Sequence, residues 1–354
     1  MHLLTRIILS FLWILVCAAC VDPILLKTDR EGGILVVNGR IRNVDEPQVI
    51  SLGYTAYDNR IPVPESGAQI TIFDNTGDSA IYAEKTPGMY ALPDGAMPAT
   101  AGRSYYITIE LQNGKTYQSI PDLMPAATGT DHTYYECYQK SEFVNGAKLE
   151  KNLIAIYTDT QLPEINAPLF FHWEVEEVYM FEETPIYNPL TGGIPQPCFV
   201  TGYPDPQRIN LFKSNGEQPG KLARTLVAER EIDYTFLTRH YFTVYLSSIS
   251  EEAHAYWEKV DGLINKTGSI FDTPPAPIKG NIFNTRDKSE AVFGFFEASN
   301  TTVTRIFTIR NYIPFAVPFN CYVPEKGLYS SDYPKSCYDC LTLPNSTHEK
   351  PYWF

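Results

Sequence analysis

Short runs in which apolar and polar positions alternate follow one another along the first third of the chain. They are rich in β-branched and aromatic residues, which favour strands, and they lie at residues 34–41, 48–57, 68–74, 79–84, 104–111 and 115–120. Turn-forming residues separate them, including Asn113-Gly114 and the segment from Asp74 to Asp78, both typical of hairpins. Because no helical period interrupts these runs, residues 20–125 are predicted to form an antiparallel, immunoglobulin-like β-sandwich.

The alternation breaks at residues 121–129 and then resumes, which predicts a second β-rich domain over residues 126–354. Its strand-like runs lie at residues 153–159, 169–181, 208–213, 233–237, 240–249, 291–298 and 304–310. In the run at 169–181, Phe171, Trp173 and Val175 share one face of a strand, while His172 and Glu174 share the other. The simplest interpretation of His172 is therefore a solvent-facing strand residue.

One amphipathic helix is predicted at about residues 250–265. Ser250 is a good N-cap, and Glu251 and Glu252 follow in the first turn, where the helix dipole favours negative charge. Apolar residues then recur on a single stripe, at Ala253, Tyr256, Trp257, Val260, Leu263 and Ile264. This spacing predicts that the helix lies flat on the second sheet.

The first 19 residues are typical of a signal peptide. Arg6 provides the positive charge, residues 7–16 are apolar, and Ala18 and Ala19 precede Cys20, as in a bacterial lipobox. We expect cleavage before Cys20, lipidation of its sulfur, and anchoring of the protein in a lipid bilayer. An ordinary signal-peptidase site and a short membrane anchor are the alternatives. Cys17 stands where a lipobox usually has leucine.

Composition narrows the class of protein. The chain has 354 residues, of which 44% are apolar and 19% are charged, so it has enough apolar material for a folded core. Its formal charge is -13, from 28 basic and 41 acidic residues. That sign excludes nucleic acid as the expected partner, because phosphate binding needs a basic surface.

Cysteine spacing favours disulfides over a metal site. If Cys20 is lipidated, the other five mature cysteines allow two disulfides and one unpaired thiol in an oxidising compartment. Cys337 and Cys340 are the closest pair and are the disulfide candidates. Zinc would need a second such pair or histidines at ligand spacing, and the sequence supplies neither.

No catalytic motif is visible, so we expect a protein that is not an enzyme and has no cofactor. The sequence lacks a nucleophile elbow, a His-Glu-x-x-His motif and a glycine-rich phosphate loop. Five glutamates cluster between residues 174 and 183, and two of them could form a glycosidase pair. We interpret this cluster as a solvated strand face and loop.

Tyrosine is unusually frequent, with 24 in the chain. Tyrosine-rich loops on β-scaffolds are common in recognition, because the flat ring provides contact area at little entropic cost. The candidates are Tyr134, Tyr135 and Tyr138 after the predicted domain break, and Tyr187 and Tyr203 in a long aperiodic stretch from Glu182 to Gln207. They predict a binding site for a small molecule, glycan or peptide.

Several blocks resemble a family of Bacteroidota lipoproteins catalogued as a domain of unknown function. In the first half they are the lipobox with Asp22-Pro23 after it, ILVVNGRI, SGAQITIFD, PGMY at residues 87–90 and AGRSYYITIELQNGKTYQS. In the second half they are residues 248–284, AVFGFFEAS, the Cys-x-x-Cys segment and the KPYWF ending. The resemblance implies an outer-membrane lipoprotein, often encoded beside a TonB-dependent receptor, with no assigned catalytic activity or site residues.

The leading hypothesis is therefore a lipid-anchored binding or accessory subunit of a TonB-dependent transport system. It would lie on the cell-surface or periplasmic face of the outer membrane. One alternative is a structural or adhesion module that spaces another component from the membrane. A second alternative is a hydrolase, which predicts two or more carboxylates that converge in a pocket.

Overall fold

The computed structural model describes residues 33–56, 62–144, 146–183, 196–214, 220–265, 277–321 and 334–354. Within these residues, the first part of the chain forms nine strands: β1 (Leu35–Arg42), β2 (Val49–Tyr54), β3 (Val63–Pro64), β4 (Gln69–Asp74), β5 (Ser79–Thr86), β6 (Met89–Ala91), β7 (Ser104–Glu110), β8 (Thr116–Ser119) and β9 (Asp122–Leu123).

The described residues of the second part form ten more strands and one α-helix. These are β10 (Thr130–Val144), β11 (Ala147–Gln161), β12 (Phe170–Phe181), β13 (Cys198–Gly202), β14 (Asn210–Lys213), β15 (Lys221–Glu231), β16 (His240–Ser248), α1 (Glu251–Ile264), β17 (Ile282–Asn284), β18 (Val292–Thr308) and β19 (Ser346–Thr347). The predicted mainly β fold with one helix is confirmed.

The first unit is a sandwich whose two sheets share β5. The start of β5 pairs with β4 and its end pairs with β6, so the chain crosses from one sheet to the other. Alternating inward residues fill the core, including Val37, Ile50, Ile72, Ile107 and Phe296. The hairpin signals hold in the structure: β4 and β5 are joined through Gly77, β7 and β8 through Gly114, and both glycines have positive φ.

Strand β18 links the two units of the molecule. Its first half runs parallel to β1, from Leu35 opposite Val292 to Arg42 opposite Ser299. Its second half runs antiparallel to β16, from Ser248 opposite Asn300 to His240 opposite Thr308. One continuous sheet therefore contains, in order, β1, β18, β16 and β12.

The first unit is built from two stretches of the chain that are far apart in sequence. The predicted break after residue 125 lies between β9 and β10, where the chain leaves the first unit. Residues 282–298 later return to that unit, because β17 pairs with β8 and β18 with β1, and Ile282, Val292 and Phe296 belong to its core. This pairing joins strands far apart in sequence, so residues from the later part of the chain complete the sheets of the first unit.

The second unit packs the long sheet against a separate sheet of β10, β11 and β15. Ile154, Ile156 and Val227 meet Trp173 and Phe242 in its core. The buried Asp131 carboxylate ties the two sheets together, since it accepts hydrogen bonds from the Thr160 hydroxyl at 2.5 Å and the Trp173 indole at 3.0 Å. A buried carboxylate needs such donors to offset its desolvation.

Helix α1 begins after Ser250, whose hydroxyl accepts a hydrogen bond from the Ala253 backbone at 3.0 Å, as the N-cap prediction requires. Only the first half of its apolar stripe is packed: Ala253 is buried with Phe170 and Phe295, whereas Leu263 and Ile264 are exposed. Among the described residues, no helix is long and apolar enough to cross a membrane.

Candidate functional site

A cavity of about 760 Å³ lies on the long sheet where the two units join. Residues of β1, β12, β16 and β18 line it. Most of these residues alternate along their strands with residues of the two cores, so their side chains lie on the opposite face of the sheet. Helix α1 and residues 351–353 provide further lining. Cavities of several hundred Å³ at the junction of two units are the usual location of ligand sites.

The ion pair of Arg40 and Glu174 joins the two units beside this cavity. Arg40 belongs to β1 and Glu174 to β12, and two strands lie between them. Burial alone would raise the pKa of Glu174, but Arg40, His172 and Arg42 outweigh it and lower the pKa to about 2. Glu174 in turn raises the pKa of the Arg40 guanidinium. The pair is therefore charged at every physiological pH.

A second polar network surrounds Glu46. Its carboxylate accepts a hydrogen bond from the Tyr245 hydroxyl at 2.8 Å and pairs with Arg42 at 3.2 Å and Arg305 at 3.4 Å. The Arg42 guanidinium also lies 4.7 Å from the centre of the Tyr245 ring. Burial, Glu176 and Glu46 together raise the pKa of Tyr245, so its hydroxyl stays protonated and donates. These contacts fix the cavity floor in one arrangement.

Aromatic rings form much of the cavity wall. The Tyr256 ring stacks 4.9 Å from that of Phe295, and the Trp257 ring lies 5.0 Å from the His172 ring. The Trp257 indole N–H donates to Glu297 at 2.8 Å. Towards solvent the lining includes Tyr203, Tyr352 and Trp353, of which Tyr352 is 83% exposed. The rings offer flat apolar surfaces that a ligand could cover.

Three carboxylates at the cavity form no direct ion pair among the described residues: Asp45, Glu176 and Glu297. Arg42 and Arg305 attract Glu176, and Arg40 attracts Glu297, without an ion-pair contact. Arg40 and Arg42, the cations that line the cavity, are both paired with other glutamates. Burial, followed by repulsion from Glu46, raises the pKa of Glu176 above its usual value. The cavity therefore has an excess of negative charge beside its aromatic walls.

Disulfides hold the C-terminal wall in place. Cys340 is bonded to Cys198 of β13, and Cys337 to Cys321, so Cys337 and Cys340 are both paired, but not with each other. Nearby, β19 pairs with β13, and the Phe354 ring lies 4.9 Å from that of Phe199. Cys137 is a free, half-buried cysteine. These links position Tyr352 and Trp353 at the cavity.

Within the described part of the chain, one cluster has metal-ligand character. The donor atoms of Cys198, Cys340 and His348 lie within 4.8 Å of one another. The two sulfurs are joined in a disulfide, and the His348 Nδ1 lies 3.6 Å from the Cys198 sulfur. A disulfide supplies no thiolate, so the oxidised cluster does not fit zinc.

The tyrosines singled out from the sequence do not form one site. Tyr134, Tyr135 and Tyr138 lie on β10, outside the cavity lining: Tyr135 packs against the second core, and Tyr138 donates a hydrogen bond to Glu229. Tyr203 lines the cavity and is 59% exposed. Tyr187 and the lipidation candidate Cys20 lie outside the described residues.

Two interpretations of the run at residues 169–181 are wrong. His172 is only 5% exposed, because α1 covers this end of β12 and Trp257 lies on the imidazole. The glutamates are not all solvated: Glu177 is buried against Arg230 and His240, the latter at 3.1 Å. Burial raises the pKa of Glu177, but the hydrogen bond and charge of His240 and the charge of Arg230 more than offset it and lower the pKa.

Sequence reasoning missed most of the cavity residues. Arg40 and Arg42 alternate with the core residues of β1, and Glu297 alternates with those of β18, so they resembled ordinary surface positions. The apolar stripe of α1, which includes Trp257, favours packing on the sheet over a binding role. A usable signal was present in Phe295-Phe296-Glu297. Phe296 lies in the core, and the opposite face of the strand carries the aromatic Phe295, whereas a face exposed to solvent usually carries polar residues.

Comparison with known proteins identifies a family. No curated protein matches the chain, and no solved structure does. A family model described as Domain of unknown function (DUF4249) matches residues 21–305, which covers most of both units and nearly all of β18. The chain therefore belongs to the DUF4249 family of proteins.

Proposed function

We propose that this protein is a lipid-anchored outer-membrane protein that binds a ligand in the cavity on the long sheet, as an accessory subunit of a TonB-dependent transport system. The observation that carries the binding function is the cavity itself, with its fixed polar floor and aromatic walls. Preorganised floors of this kind reduce the entropy lost when a ligand binds.

The anchor and the transport partner rest on the sequence. The small residues before Cys20 and the apolar segment before them support export and lipidation. An anchor confines the protein to the membrane plane beside a receptor, which raises the effective concentration of one for the other. The resemblance to lipoproteins encoded beside TonB-dependent receptors supports that partner.

Two measurements test the anchor and the partner. Intact-mass analysis of the protein from membranes should find diacylglycerol on Cys20 as the first residue, and Cys20→Ala should release the protein from the membrane fraction. Gentle detergent extraction should recover the protein with a large barrel receptor. An unmodified amino terminus at another residue would contradict the anchor, and a protein that always elutes alone would contradict the partnership.

A hydrolase is the second candidate function, because carboxylates converge at the cavity, and one of them, Glu176, differs in its pKa displacement from Glu174 beside the cavity. On one face of β12, the pKa of Glu174 is lowered and that of Glu176 is raised, a contrast found in acid–base pairs. The commitment of Glu174 to Arg40 argues for a structural role instead. Hydrolysis of a glycan or peptide panel that Glu176→Gln abolishes would support the enzyme, whereas binding without turnover would support the binding protein.

A further inference from the structure

We propose that the cavity recognises an organic cation, an alkylammonium or guanidinium group, through Glu176, Glu297 and the surrounding aromatic rings. This inference rests on the proposed binding function and specifies the ligand class. Neither the family nor the sequence motifs assign such a ligand.

The first support is the charge at the cavity. Among the described residues, no ion pair neutralises Glu176 or Glu297, although every arginine at the floor is paired with a glutamate. Glu297 is 5% exposed and receives one hydrogen bond, from the Trp257 indole. A carboxylate so far removed from water is stabilised when a cation approaches it. A ligand with a positive charge would supply the direct ion-pair partner that Glu176 and Glu297 lack among the described residues.

The second support is the position of the rings relative to these acids. Trp257 donates to Glu297 by its indole edge and stands beside Tyr256, whose ring centre is 5.5 Å away. Faces of tryptophan and tyrosine attract ammonium and guanidinium groups. The same cavity already contains such a contact, since Arg42 lies over the Tyr245 ring. Aromatic faces and carboxylates together are the chemistry that recognises amines and guanidines.

Other ligand classes fit less well. An anion would meet Asp45, Glu176 and Glu297, and it would have to displace a glutamate to reach Arg40 or Arg42. A neutral sugar could stack on the rings, but it would leave Glu176 and Glu297 without a direct ion-pair partner. A cationic ligand can contact both the carboxylates and the aromatic rings favourably.

The test compares two peptides that differ in charge alone. A tetrapeptide blocked at both ends, with arginine at its centre, is titrated against its citrulline twin, and tryptophan fluorescence is followed, since Trp257 and Trp353 line the cavity. A neutral oligosaccharide and an aspartate-containing tetrapeptide complete the panel. The variants are Glu176→Gln and Glu297→Gln; Glu110→Gln, on an exposed position of β7, is the matched charge control.

The Kd of the arginine peptide should be at least about tenfold lower than that of the citrulline peptide. Each of the two cavity variants should remove most of that preference, and Glu110→Gln should keep it. Equal affinity for arginine and citrulline, or saccharide binding that Glu176→Gln leaves intact, would overturn the cation inference but preserve the binding function. The absence of binding by every member of the panel would count against both.

Discussion

Arg40 of β1 and Glu174 of β12 form an ion pair that crosses β18 and β16, so it connects the two units on the face of one sheet. Their side chains are 38% and 25% exposed. The pair thus combines two roles, since it fixes one unit against the other and also holds one cation of the cavity floor. Both roles can be tested separately from ligand binding.

A double-mutant cycle measures the coupling of this pair. Arg40→Met and Glu174→Gln should each destabilise the protein, and the double variant should lose less than the sum, with a coupling of about 1 kcal/mol from urea unfolding. The matched control is the Lys148–Glu150 pair, whose side chains are 54% and 47% exposed. Its coupling should be near zero, as for most surface pairs. Equal couplings in the two cycles would contradict a joining role for Arg40 and Glu174.

Asp122 should make the folded protein less stable as the pH rises towards neutrality. Its carboxylate is buried between the units, where it accepts a hydrogen bond from the Ala298 backbone at 2.8 Å. Burial raises its pKa to about 7, although that hydrogen bond and one from Ser250 lower it. An acid whose pKa is higher in the folded than in the unfolded protein contributes to the free energy of unfolding at low pH. This contribution is complete below the unfolded pKa of about 4 and is lost as pH rises to about 7.

The comparison with Asp122→Asn isolates this effect. Between pH 5 and 7, the free energy of unfolding of the wild type should fall relative to that of the variant by up to about 1.4 kcal/mol per pH unit. Above pH 7 the difference should level off. Parallel pH profiles for the two proteins would show that Asp122 is ionised in the fold throughout this range.

The two disulfides should differ in their contribution to stability. Cys198–Cys340 closes a separation of 142 residues, whereas Cys321–Cys337 closes 16. Chain entropy alone predicts that removing the first by paired alanine substitutions costs about 5 kcal/mol and removing the second about 3 kcal/mol. Thermal unfolding of the two double variants provides the measurement. A larger loss from the Cys321–Cys337 variant would contradict the entropic ranking.

Gly294, where β18 pairs with β1, should not tolerate a side chain without a large loss of stability. Its φ is +92°, and a Cβ there would lie 2.0 Å from the Val37 carbonyl oxygen on the neighbouring strand. Gly77 has a similar φ of +97° but no atom within 4 Å of an added Cβ. Gly77→Ala should therefore cost about 1–2 kcal/mol from backbone strain, and Gly294→Ala distinctly more. Similar losses in denaturant titrations would show that β18 can move away from β1.

Local patterns along the chain predicted α1 and many of the strands, because side-chain alternation and the Ser250 cap are encoded by neighbouring residues. They missed β10 and β15, and the strand predicted at residues 233–237 is wrong, since Tyr234–Leu237 form a 3-10 helix that Asp233 caps. The parallel pairing of β1 with β18 was not accessible in this way. It joins residues about 257 apart, such as Leu35 and Val292, and no short-range signal specifies that partner. The same holds for the disulfide partners, which cysteine spacing leaves open.

The candidate site was less predictable than the fold for the same reason. Tyr203 was identified because aromatic residues in an irregular segment suggest recognition, and it does line the cavity. Arg40, Glu176 and Glu297 come from three strands, and each occupies a normal outward position in its own alternation. Only the three-dimensional arrangement of the sheet brings them together.

A crystallographic fragment screen of the mature protein tests the central claim most directly, because it locates ligands without assuming their identity. We expect amine-, guanidine- and ring-containing fragments to collect in the cavity, in contact with Trp257 and Glu176. Fragments that bind instead along the β10–β11–β15 sheet, with the cavity empty in every data set, would contradict the assignment of the binding site.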